Sequence, residues 1–362
     1  MTDRPLIFDL DVQELRRVMT EKRMPSYRAD QVQSWVFRRH LSDPQQMSNL
    51  SPHDRRVLNR CLRFGSSHVV THQQASDGVQ KLLLAWEPTP VDGERTRVSA
   101  DWPQTECVMI PMGNRRTACI SSQVGCPVGC HFCASGIGGF EQNLSAGQMI
   151  EQVWRMETLP GVGRITHVVF MGMGEPLANF TAVTKAIRLL MAPWCMGISG
   201  RRLTVSTVGL PAQIRRLGAL RLPITLAISL HAPNDELRRT LIPWADNVTL
   251  NQLVEAAQDY FAQTHREITL EYILLRSVND RPEHAHQLVR IARRLRCNVN
   301  LIRYNEVKDL PYDRPISVDV HRFQTILVQA GVNTLIRASR GRDISAACGQ
   351  LRHERGPEHV TL

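Results

Sequence analysis

From Thr117 onward, short apolar segments alternate with amphipathic segments whose apolar residues recur at helical spacing. Six apolar segments are each followed by such a helical segment, and a seventh, NTLIRAS, closes the series. The six predicted strands are ACISSQ, THVVFMG, RLTVST, ITLAISL, EITLEYILL and NVNLIRY. Because strands that alternate with helices pair in parallel, the pattern predicts an α/β core, either an incomplete barrel or a doubly wound sheet. In both folds the chemistry lies at the carboxyl ends of the strands.

The chain before this core has two other patterns. Up to residue 65 the apolar residues have helical spacing, as at Leu15, Val18 and Met19, and arginines outnumber acids. The next segment contains two strand-like stretches, KLLLAW and ECVMIP, separated by turn-forming residues. The predicted regions are a basic helical region 1–65, a β connector 66–112, a core 113–345 and a C-terminal tail 346–362.

The composition is that of an ordinary globular protein with a positive charge. Of 362 residues, 43% are hydrophobic and 22% are charged, which argues against a disordered chain. No apolar run approaches the ~18 residues of a membrane helix, and the acids in MTDRPLIFDLDVQELRR argue against a signal peptide. We therefore expect a cytoplasmic protein with no membrane partner.

The net charge of +10 favours an acidic partner such as nucleic acid. Candidate phosphate contacts are the pairs Arg201–Arg202, Arg215–Arg216 and Arg238–Arg239.

The nine cysteines do not suggest a disulfide framework, because their number is odd and the cytoplasm is reducing. Three of them, Cys126, Cys130 and Cys133, form C-x3-C-x2-C on a glycine-bearing loop after the first core strand. Zinc sites usually take four ligands in two separated pairs, and only His131, inside the motif, could add a fourth ligand here. Three clustered thiolates can instead bind three irons of a [4Fe-4S] cluster and leave the fourth iron open.

Five further motifs follow the cysteines in order, and together they carry a family resemblance. They are MGMGEP (171–176), STVG (206–209), SLHAPNDE (229–236), NLIRYN (300–305) and RGRDISAACGQL (340–351). With these motifs the chain resembles, over nearly its whole length, the RlmN/Cfr group of radical S-adenosylmethionine (SAM) RNA methyltransferases. The resemblance implies a radical SAM partial (βα)6 barrel with a small helical N-terminal domain and a β connector.

The resemblance also implies roles that the bare pattern does not assign. Cys348 would carry a methyl group, Cys119 would resolve a covalent protein–RNA adduct through a transient disulfide, and Glu106 would accept a proton. Without the resemblance, Cys348 would be a small packing residue and Glu106 a solvent-facing residue at a strand edge. Polar residues at strand ends often only cap the next helix. The implied SAM-binding residues are Gly174, Glu175, Ser206, Ser229, Leu230, His231 and Asn305.

The reaction implied by the resemblance methylates a ring carbon of adenine. One SAM would methylate Cys348, a second would be cleaved reductively, and the resulting radical would take a hydrogen from the methyl group on Cys348. The implied targets are an adenosine in the peptidyl-transferase loop of 23S rRNA and one next to the tRNA anticodon. A reductase, not identifiable from the sequence, would supply electrons.

Two alternatives stay open at this point. Arg303 resembles the branch that methylates C8 of adenine, whereas Pro176 resembles the branch that methylates C2, and we expect C2. A non-catalytic iron–sulfur protein that binds RNA is an alternative of a different class. Such a protein would need the three clustered cysteines but not Cys348, Cys119 or Glu106.

Overall fold

We describe the protein from a computed structural model, which covers residues 4–88, 102–308 and 310–351. Ten α-helices lie in these residues. They are α1 (Val12–Glu21), α2 (Arg28–Gln33), α3 (Pro52–Cys61), α4 (Ala146–Glu157), α5 (Phe180–Met191), α6 (Pro211–Ala219), α7 (Asp235–Leu241), α8 (Leu250–Thr264), α9 (Pro282–Ala292) and α10 (Ser317–Gln329). The first three helices form the N-terminal part of the chain, which confirms the helical pattern there.

Twelve strands lie in the same described residues. They are β1 (Ser67–Gln74), β2 (Gln80–Trp86), β3 (Gln104–Met112), β4 (Arg115–Cys119), β5 (Gln123–Gly125), β6 (Phe140–Asn143), β7 (His167–Phe170), β8 (Leu203–Thr207), β9 (Thr225–Ser229), β10 (Ile268–Leu274), β11 (Cys297–Arg303) and β12 (Thr334–Arg337). All except β5 and β6 belong to one ten-stranded sheet, in which the strands follow each other in chain order. Strands β5 and β6 form a separate hairpin.

The sheet changes from antiparallel to parallel at β4. Strands β1 to β4 pair antiparallel, and each pair from β4 to β12 is parallel. A doubly wound sheet would reverse its strand order at one point, and this sheet does not. The two ends of the sheet, β1 and β12, do not pair with each other in the described residues. The core is therefore an incomplete barrel, one of the two predicted folds.

The alternation along β10 shows how one strand serves both core and cavity. Leu270 and Tyr272 are buried in the main hydrophobic core, where the Tyr272 ring lies 5.4 Å from the ring of Phe323 on α10. Glu271 and Ile273 point the other way and line a cavity inside the barrel. Because successive side chains of a strand alternate in direction, every second residue of a barrel strand is available to a ligand.

The N-terminal helices pack against α4, the first helix of the core. Asp11 begins α1 with a capping box in which Glu14 bonds back to its backbone N–H. The ring of Phe8 lies 5.6 Å from that of Trp154 on α4. The Asp9 carboxylate accepts hydrogen bonds from the Gly147 N–H and the Ser145 hydroxyl at the start of α4. Apolar packing and these hydrogen bonds attach the two regions to each other.

Some elements were not predicted, and each has a physical reason. Strand β1 is largely exposed at the sheet end and carries polar residues, so it lacks an apolar pattern. Helix α7 has only seven residues, too few for a clear period. The turn-forming segment predicted at 87–96 lies mostly in residues 89–101, and the last part of the predicted tail in 352–362; both are outside the described residues. Among the described helices, none combines the length and apolarity needed to cross a membrane.

Candidate active site

A cavity opens at the carboxyl ends of the parallel strands, the position expected for this fold. Many of the predicted site residues line it, and they come from the loop after β5, from the ends of β7, β8 and β9, and from the tail. These residues are Cys126, Cys130, Cys133, Gly174, Glu175, Ser206, Ser229, His231 and Cys348.

The three clustered cysteines lie on a loop that folds tightly on itself. Gly125 has φ +70°, and a Cβ at this position would collide with the carbonyl oxygen of Gly139. The Cys126 N–H donates to that same carbonyl at 2.9 Å, and the Cys133 N–H donates to Cys130 O at 3.1 Å. The close approach of the two backbone segments therefore requires glycine at 125.

The chemistry of the three thiols fits an iron–sulfur cluster better than a single metal ion. Burial raises the pKa of the Cys126 thiol to about 12, so the thiols are protonated until a metal displaces the proton. A single tetrahedral ion would need a fourth protein ligand, whereas in a four-iron cluster each of the three thiolates binds its own iron. Val128 and Phe132 supply an apolar shell beside the thiols.

Gly174 and Glu175 form the end of the cavity next to β7. Gly174 has φ +100°, and a Cβ there would meet the side chain of Gln123, whose Oε1 accepts the Glu175 N–H at 2.8 Å. The Glu175 carboxylate accepts the N–H groups of Leu177 and Val208, both at 2.8 Å. Burial raises the pKa of Glu175 to about 7, and the two N–H donors oppose that rise. The carboxylate is thus fixed at the cavity wall with oxygen lone pairs to spare.

Two serines and a histidine continue the wall along β8 and β9. The hydroxyls of Ser206 and Ser229 lie 3.2 Å apart. His231 has φ +59°, and its Nδ1 accepts the N–H of Ile273 at 3.1 Å. Burial, followed by the nearby Arg238 charge, lowers the pKa of His231 to about 3, so the imidazole is neutral. Asn279 donates to His231 O at 2.8 Å and so supports the unusual backbone.

Leu230 and Arg238 occupy positions that the sequence did not indicate. The Leu230 side chain is buried in the main core rather than in the cavity, while its N–H donates to Glu271 O. Arg238 is 1% exposed and donates to the carbonyls of Leu230 and Val208. The prediction that Arg238 contacts phosphate is therefore wrong, because its guanidinium is used inside the protein. A pair of arginines in a sequence does not reveal which one faces the core.

The other arginine pairs lie at the surface. Arg201 and Arg202 are exposed. Arg215 is exposed as well, and its Nε lies 2.6 Å from a carboxylate oxygen of Asp259. The Arg216 guanidinium lies 4.2 Å above the ring of Phe180. Exposed ion pairs of this kind exchange readily for other anions, so these positions stay candidate phosphate contacts.

Cys348 and Cys119 lie together beside the main cavity. Both line a smaller adjoining cavity together with Asn305 and Arg337. Burial raises the pKa of Cys119 to about 12, and the Cys348 thiol adds to the rise. Cys348 is exposed as a residue; the surroundings of its sulfur raise the pKa of the thiol, whereas the Arg337 charge opposes the rise. The structure therefore brings the two predicted thiols to one place, with a cation beside them.

Asn305 connects the end of β11 to the tail. Its Nδ2 donates to Cys348 O at 3.2 Å, and its Oδ1 accepts from Arg314 Nη1 at 3.2 Å. The tail has two further bonds to the cysteine loop: the Ala134 N–H donates to Gly349 O at 2.8 Å, and the Ser135 hydroxyl donates to Leu351 O at 2.7 Å. The segment that carries Cys348 is thus held directly by the loop that carries Cys133.

Glu106 is buried, in contrast to the solvent-facing position that the bare sequence suggested. Strand β3 lies between β2 and β4 rather than at an edge, and Glu106 is 8% exposed. Its Oε1 lies 2.7 Å from Lys81 Nζ. In the register of β3 with β4, Val108 is opposite Cys119. Since Glu106 is two residues from Val108, it projects from the same face of the sheet as Cys119. It does not line the larger cavity.

Sequence reasoning missed a charged pair at the centre of the cavity wall. Arg337 Nη1 lies 3.3 Å from Glu271 Oε2, and Asn300 donates to Glu271 Oε1 at 3.0 Å. Glu271 stands in the middle of the apolar segment EITLEYILL, and Arg337 is the last residue of the edge strand β12. For Glu271, a charge inside a buried strand was the available signal, because such a charge needs a partner or a ligand.

Comparison with known proteins agrees with this geometry. Residues 120–289 match the Radical SAM superfamily, and residues 6–63 match the ribosomal RNA large subunit methyltransferase N-terminal domain. The "Probable dual-specificity RNA methyltransferase RlmN" of Rhodopirellula baltica is 39% identical over 98% of this chain and 92% of its own length. The protein of the same name from Gloeobacter violaceus is 42% identical over 94% of this chain and 93% of its own.

A solved structure is similar over almost the whole chain. The crystal structure of a radical SAM methyltransferase from Sphaerobacter thermophilus superposes with a TM-score of 0.90 and 38% identity, over 96% of this chain and 99% of that one. The similarity therefore includes the N-terminal helices, the antiparallel strands and the barrel. On these grounds, the chain belongs to the RlmN family of radical SAM RNA methyltransferases.

Proposed function

We propose that this protein methylates C2 of an adenosine in the peptidyl-transferase loop of 23S rRNA, and of one next to the anticodon of tRNA, through a methyl group carried on Cys348. The observation that carries the proposal is that the Cys348 thiol lines the same cavity as the three clustered cysteines. The relatives' name, dual-specificity RNA methyltransferase, supports two classes of RNA target.

Cys126, Cys130 and Cys133 would hold a [4Fe-4S] cluster, and the polar groups at the ends of β7, β8, β9 and β11 would hold SAM. When bound, SAM supplies a methyl group. After one-electron reduction through the cluster, SAM also supplies the means to remove a hydrogen atom from an unactivated methyl group. The residues of the cavity wall would orient SAM. Glu175 offers carboxylate oxygens to an ammonium group, and the Ser206 and Ser229 hydroxyls offer hydrogen bonds.

The tail residue Cys348 would be the methyl carrier. Its thiolate would attack the methyl group of SAM, forming a C–S bond as the bond to the sulfonium sulfur breaks. Arg337 favours the thiolate, because its positive charge lowers the pKa of Cys348 against the effect of desolvation. Asn305 and the loop residues Ala134 and Ser135 would hold the tail so that the sulfur faces the cavity.

Glu106 and Cys119 would complete the reaction on the ring. The C2 position of adenine is an electron-poor carbon with a hydrogen that is not acidic, so a carbon radical on the Cys348 methyl group adds there more readily than an ordinary electrophile. The adduct would give up its unpaired electron to the one-electron redox group held by the three clustered cysteines, and Glu106 would accept the proton from the ring carbon. The Cys119 thiolate would then attack the Cys348 sulfur, forming a transient disulfide as the bond between that sulfur and the methylene carbon breaks. The electron pair of the broken bond would stay with the carbon, which would take up a proton and become the methyl group of the released base.

The RNA and the electron donor would approach from outside the barrel. The target adenine must leave its stack to enter the cavity, which favours a loop or a single strand. Exposed arginines such as Arg201 and Arg202 are candidate contacts to the phosphates. A reductase would supply electrons, and a reducing compartment such as the cytoplasm would keep the thiols reduced.

The test is mass spectrometry of digested 23S rRNA and tRNA from cells with the wild-type protein, without it, and with Cys348→Ala. We expect 2-methyladenosine only with the wild type. Cys61→Ala is the matched control, because Cys61 is also a free cysteine but lies in the N-terminal helices, and it should preserve the product. Finding 8-methyladenosine instead would establish the C8 alternative. Unchanged 2-methyladenosine with Cys348→Ala would contradict the proposed role of Cys348.

A further inference from the structure

Lys81 makes two contacts that join distant parts of the candidate site. It lies on β2, and its ammonium Nζ is 2.7 Å from Glu106 Oε1. The same ammonium donates to Ser345 O at 3.4 Å, three residues before Cys348. In the register of β2 with β3, Lys81 is opposite Val108, so it shares the sheet face of Glu106. One cation therefore touches both the carboxylate and the tail.

The ion pair is buried far more than a surface pair. The side chains of Lys81 and Glu106 are 9% and 10% exposed. In contrast, the Lys185–Glu14 pair between α5 and α1 is 40% and 35% exposed. Removing two charges from water costs about as much as their attraction returns, and apolar residues often stabilise such positions equally well. Folding alone therefore does not explain a lysine and a glutamate at this place.

The backbone of Glu106 is held by its neighbours. Its N–H donates to Met173 Sδ at 3.5 Å, and its carbonyl accepts the Ser121 hydroxyl at 2.6 Å. The ammonium of Lys81 acts on the carboxylate itself, from 2.7 Å.

We propose that Lys81 is a positioning residue, which keeps the Glu106 carboxylate charged and directed while fixing the tail segment that carries Cys348. The inference rests on the proposed role of Glu106 as proton acceptor. In that step the ring C–H bond breaks, its electron pair stays with the ring, and the proton bonds to a carboxylate oxygen of Glu106. The Lys81 ammonium, 2.7 Å from the carboxylate, then favours the charged form of that carboxylate, so the proton passes on to water.

The experiment compares Lys81→Met, Lys81→Arg and Lys185→Met, each as the full-length protein with its cluster. Three quantities are measured: the visible absorbance of the cluster, methylation of Cys348 by peptide mass spectrometry, and single-turnover formation of methylated RNA. For Lys81→Met we expect wild-type cluster absorbance and Cys348 methylation, with the RNA product formed about 100-fold more slowly, the range for losing an effective general base. Lys81→Arg should recover most of the rate, and Lys185→Met should match the wild type.

Two results would overturn the inference. One is a Lys81→Met product rate within twofold of the wild type. The other is a parallel loss of cluster, Cys348 methylation and RNA product, which would make Lys81 merely structural. If Lys81→Met does not fold, Lys81→Gln replaces it, since the amide still donates hydrogen bonds but has no charge; we expect the same selective loss, and a wild-type rate would overturn the inference. Glu106→Gln distinguishes failure of the Lys81 inference from failure of the proposed function. If the Glu106→Gln protein still forms the RNA product, Glu106 is not the proton acceptor.

Discussion

Two parts of the candidate site, which we call the cofactor end and the tail end, are built in different ways. The cofactor end consists of consecutive strand–helix units, with Gly174 after β7, Ser206 on β8 and Ser229 on β9. The tail end joins parts that are far apart in the chain: Cys119 on β4 and the tail around Cys348, which share the smaller cavity, and Glu106 on β3, on the same sheet face as Cys119. The cofactor end follows from the parallel fold, which places successive strand ends side by side.

The tail end depends on a few specific contacts. The tail is attached by hydrogen bonds to the cysteine loop, to Asn305 and to Lys81. Each such bond contributes only about 1 kcal/mol. We infer that the cofactor end is preformed, whereas the end that carries the methyl group is the part of the site most easily disturbed. Substitutions at the two ends should therefore separate the binding of cofactors from the transfer of the methyl group.

The largest effect is expected from Cys130→Ala, at the cofactor end. Removing one of three thiolates should prevent stable cluster binding, so the visible absorbance, the methylation of Cys348 and the RNA product should all be lost. Anaerobic reconstitution followed by iron analysis and mass spectrometry measures all three. Cys297→Ala is the control, because Cys297 lies on β11 away from the cavity lining. Methylated RNA from a cluster-free Cys130→Ala protein would contradict the role of the loop.

A smaller effect at the same end is expected from Gly125→Ala. The new Cβ would collide with Gly139 O, and the backbone at φ +70° is strained for alanine by about 2 kcal/mol. Iron content and product should fall together, as measured on the reconstituted protein. Gly138→Ala on the same loop is a matched control, since a Cβ there meets nothing within 4 Å. Equal iron content in the two variants would show that the loop tolerates the side chain.

A selective effect at the tail end is expected from Gln350→Ala, which removes the hydrogen bond from Gln350 Nε2 to Glu306 O. We expect normal cluster absorbance and a several-fold slower methylation of Cys348, because about 1 kcal/mol of tail attachment is lost. Hydrogen exchange of the tail peptide should become faster. Thr325→Ala, which loses only a bond to His321 O within α10, should change neither quantity. A lower iron content in Gln350→Ala, with tail exchange unchanged, would contradict the separation of the two ends.

The smallest effect on methylation is expected from Glu157→Gln, far from both ends. Burial raises the pKa of Glu157 to about 7, although the Ile165 N–H and Arg164 oppose this. The folded protein thus keeps a proton that the unfolded chain, with a pKa near 4.5, releases. Binding of this proton by the folded protein contributes its full stabilisation below about pH 4.5. The contribution is lost as the pH rises through about 7.

Glu157→Gln stays neutral at every pH and keeps an oxygen for the Ile165 N–H. Its free energy of unfolding should therefore equal that of the wild type at low pH and exceed it by about 1–2 kcal/mol above pH 7. Thermal or urea unfolding between pH 4.5 and 8 measures the difference. If the difference in free energy of unfolding between Glu157→Gln and the wild type shrank with rising pH, Glu157 would be ionised in the folded protein throughout. Methylation at pH 7 should be unchanged.

The sequence predicted what local patterns encode. The alternation of strands and helices gave the parallel core, and the spacing of Cys126, Cys130 and Cys133 gave the cluster loop, because each depends on neighbours along the chain. Arg337 and Glu271 were missed, since their pairing depends on which strands are adjacent and which face points inward. Arg238 was assigned to the surface for a similar reason: the period of a seven-residue helix does not show which side is buried.

The contacts of Lys81 at the tail end could not be predicted from local sequence patterns either. Its strand KLLLAW was identified, but the contact to Glu106 depends on the register of two antiparallel strands, and the contact to Ser345 spans 264 positions. Such contacts leave no local pattern. The resemblance to the family brought Glu106, Cys119 and Cys348 into consideration. In the fold, Cys119 and Cys348 share one cavity, and Glu106 lies on the same sheet face as Cys119.

The central claim is that the methyl group reaches RNA through Cys348, and one labelling experiment tests it directly. The protein is supplied with SAM whose methyl group carries three deuterium atoms, and the methylated adenosine is analysed by mass spectrometry. If the methyl group on Cys348 loses one hydrogen atom before it bonds to the ring, the product should retain two of the three deuterium atoms. A product that retains all three would indicate direct transfer from SAM and would contradict the proposed role of Cys348.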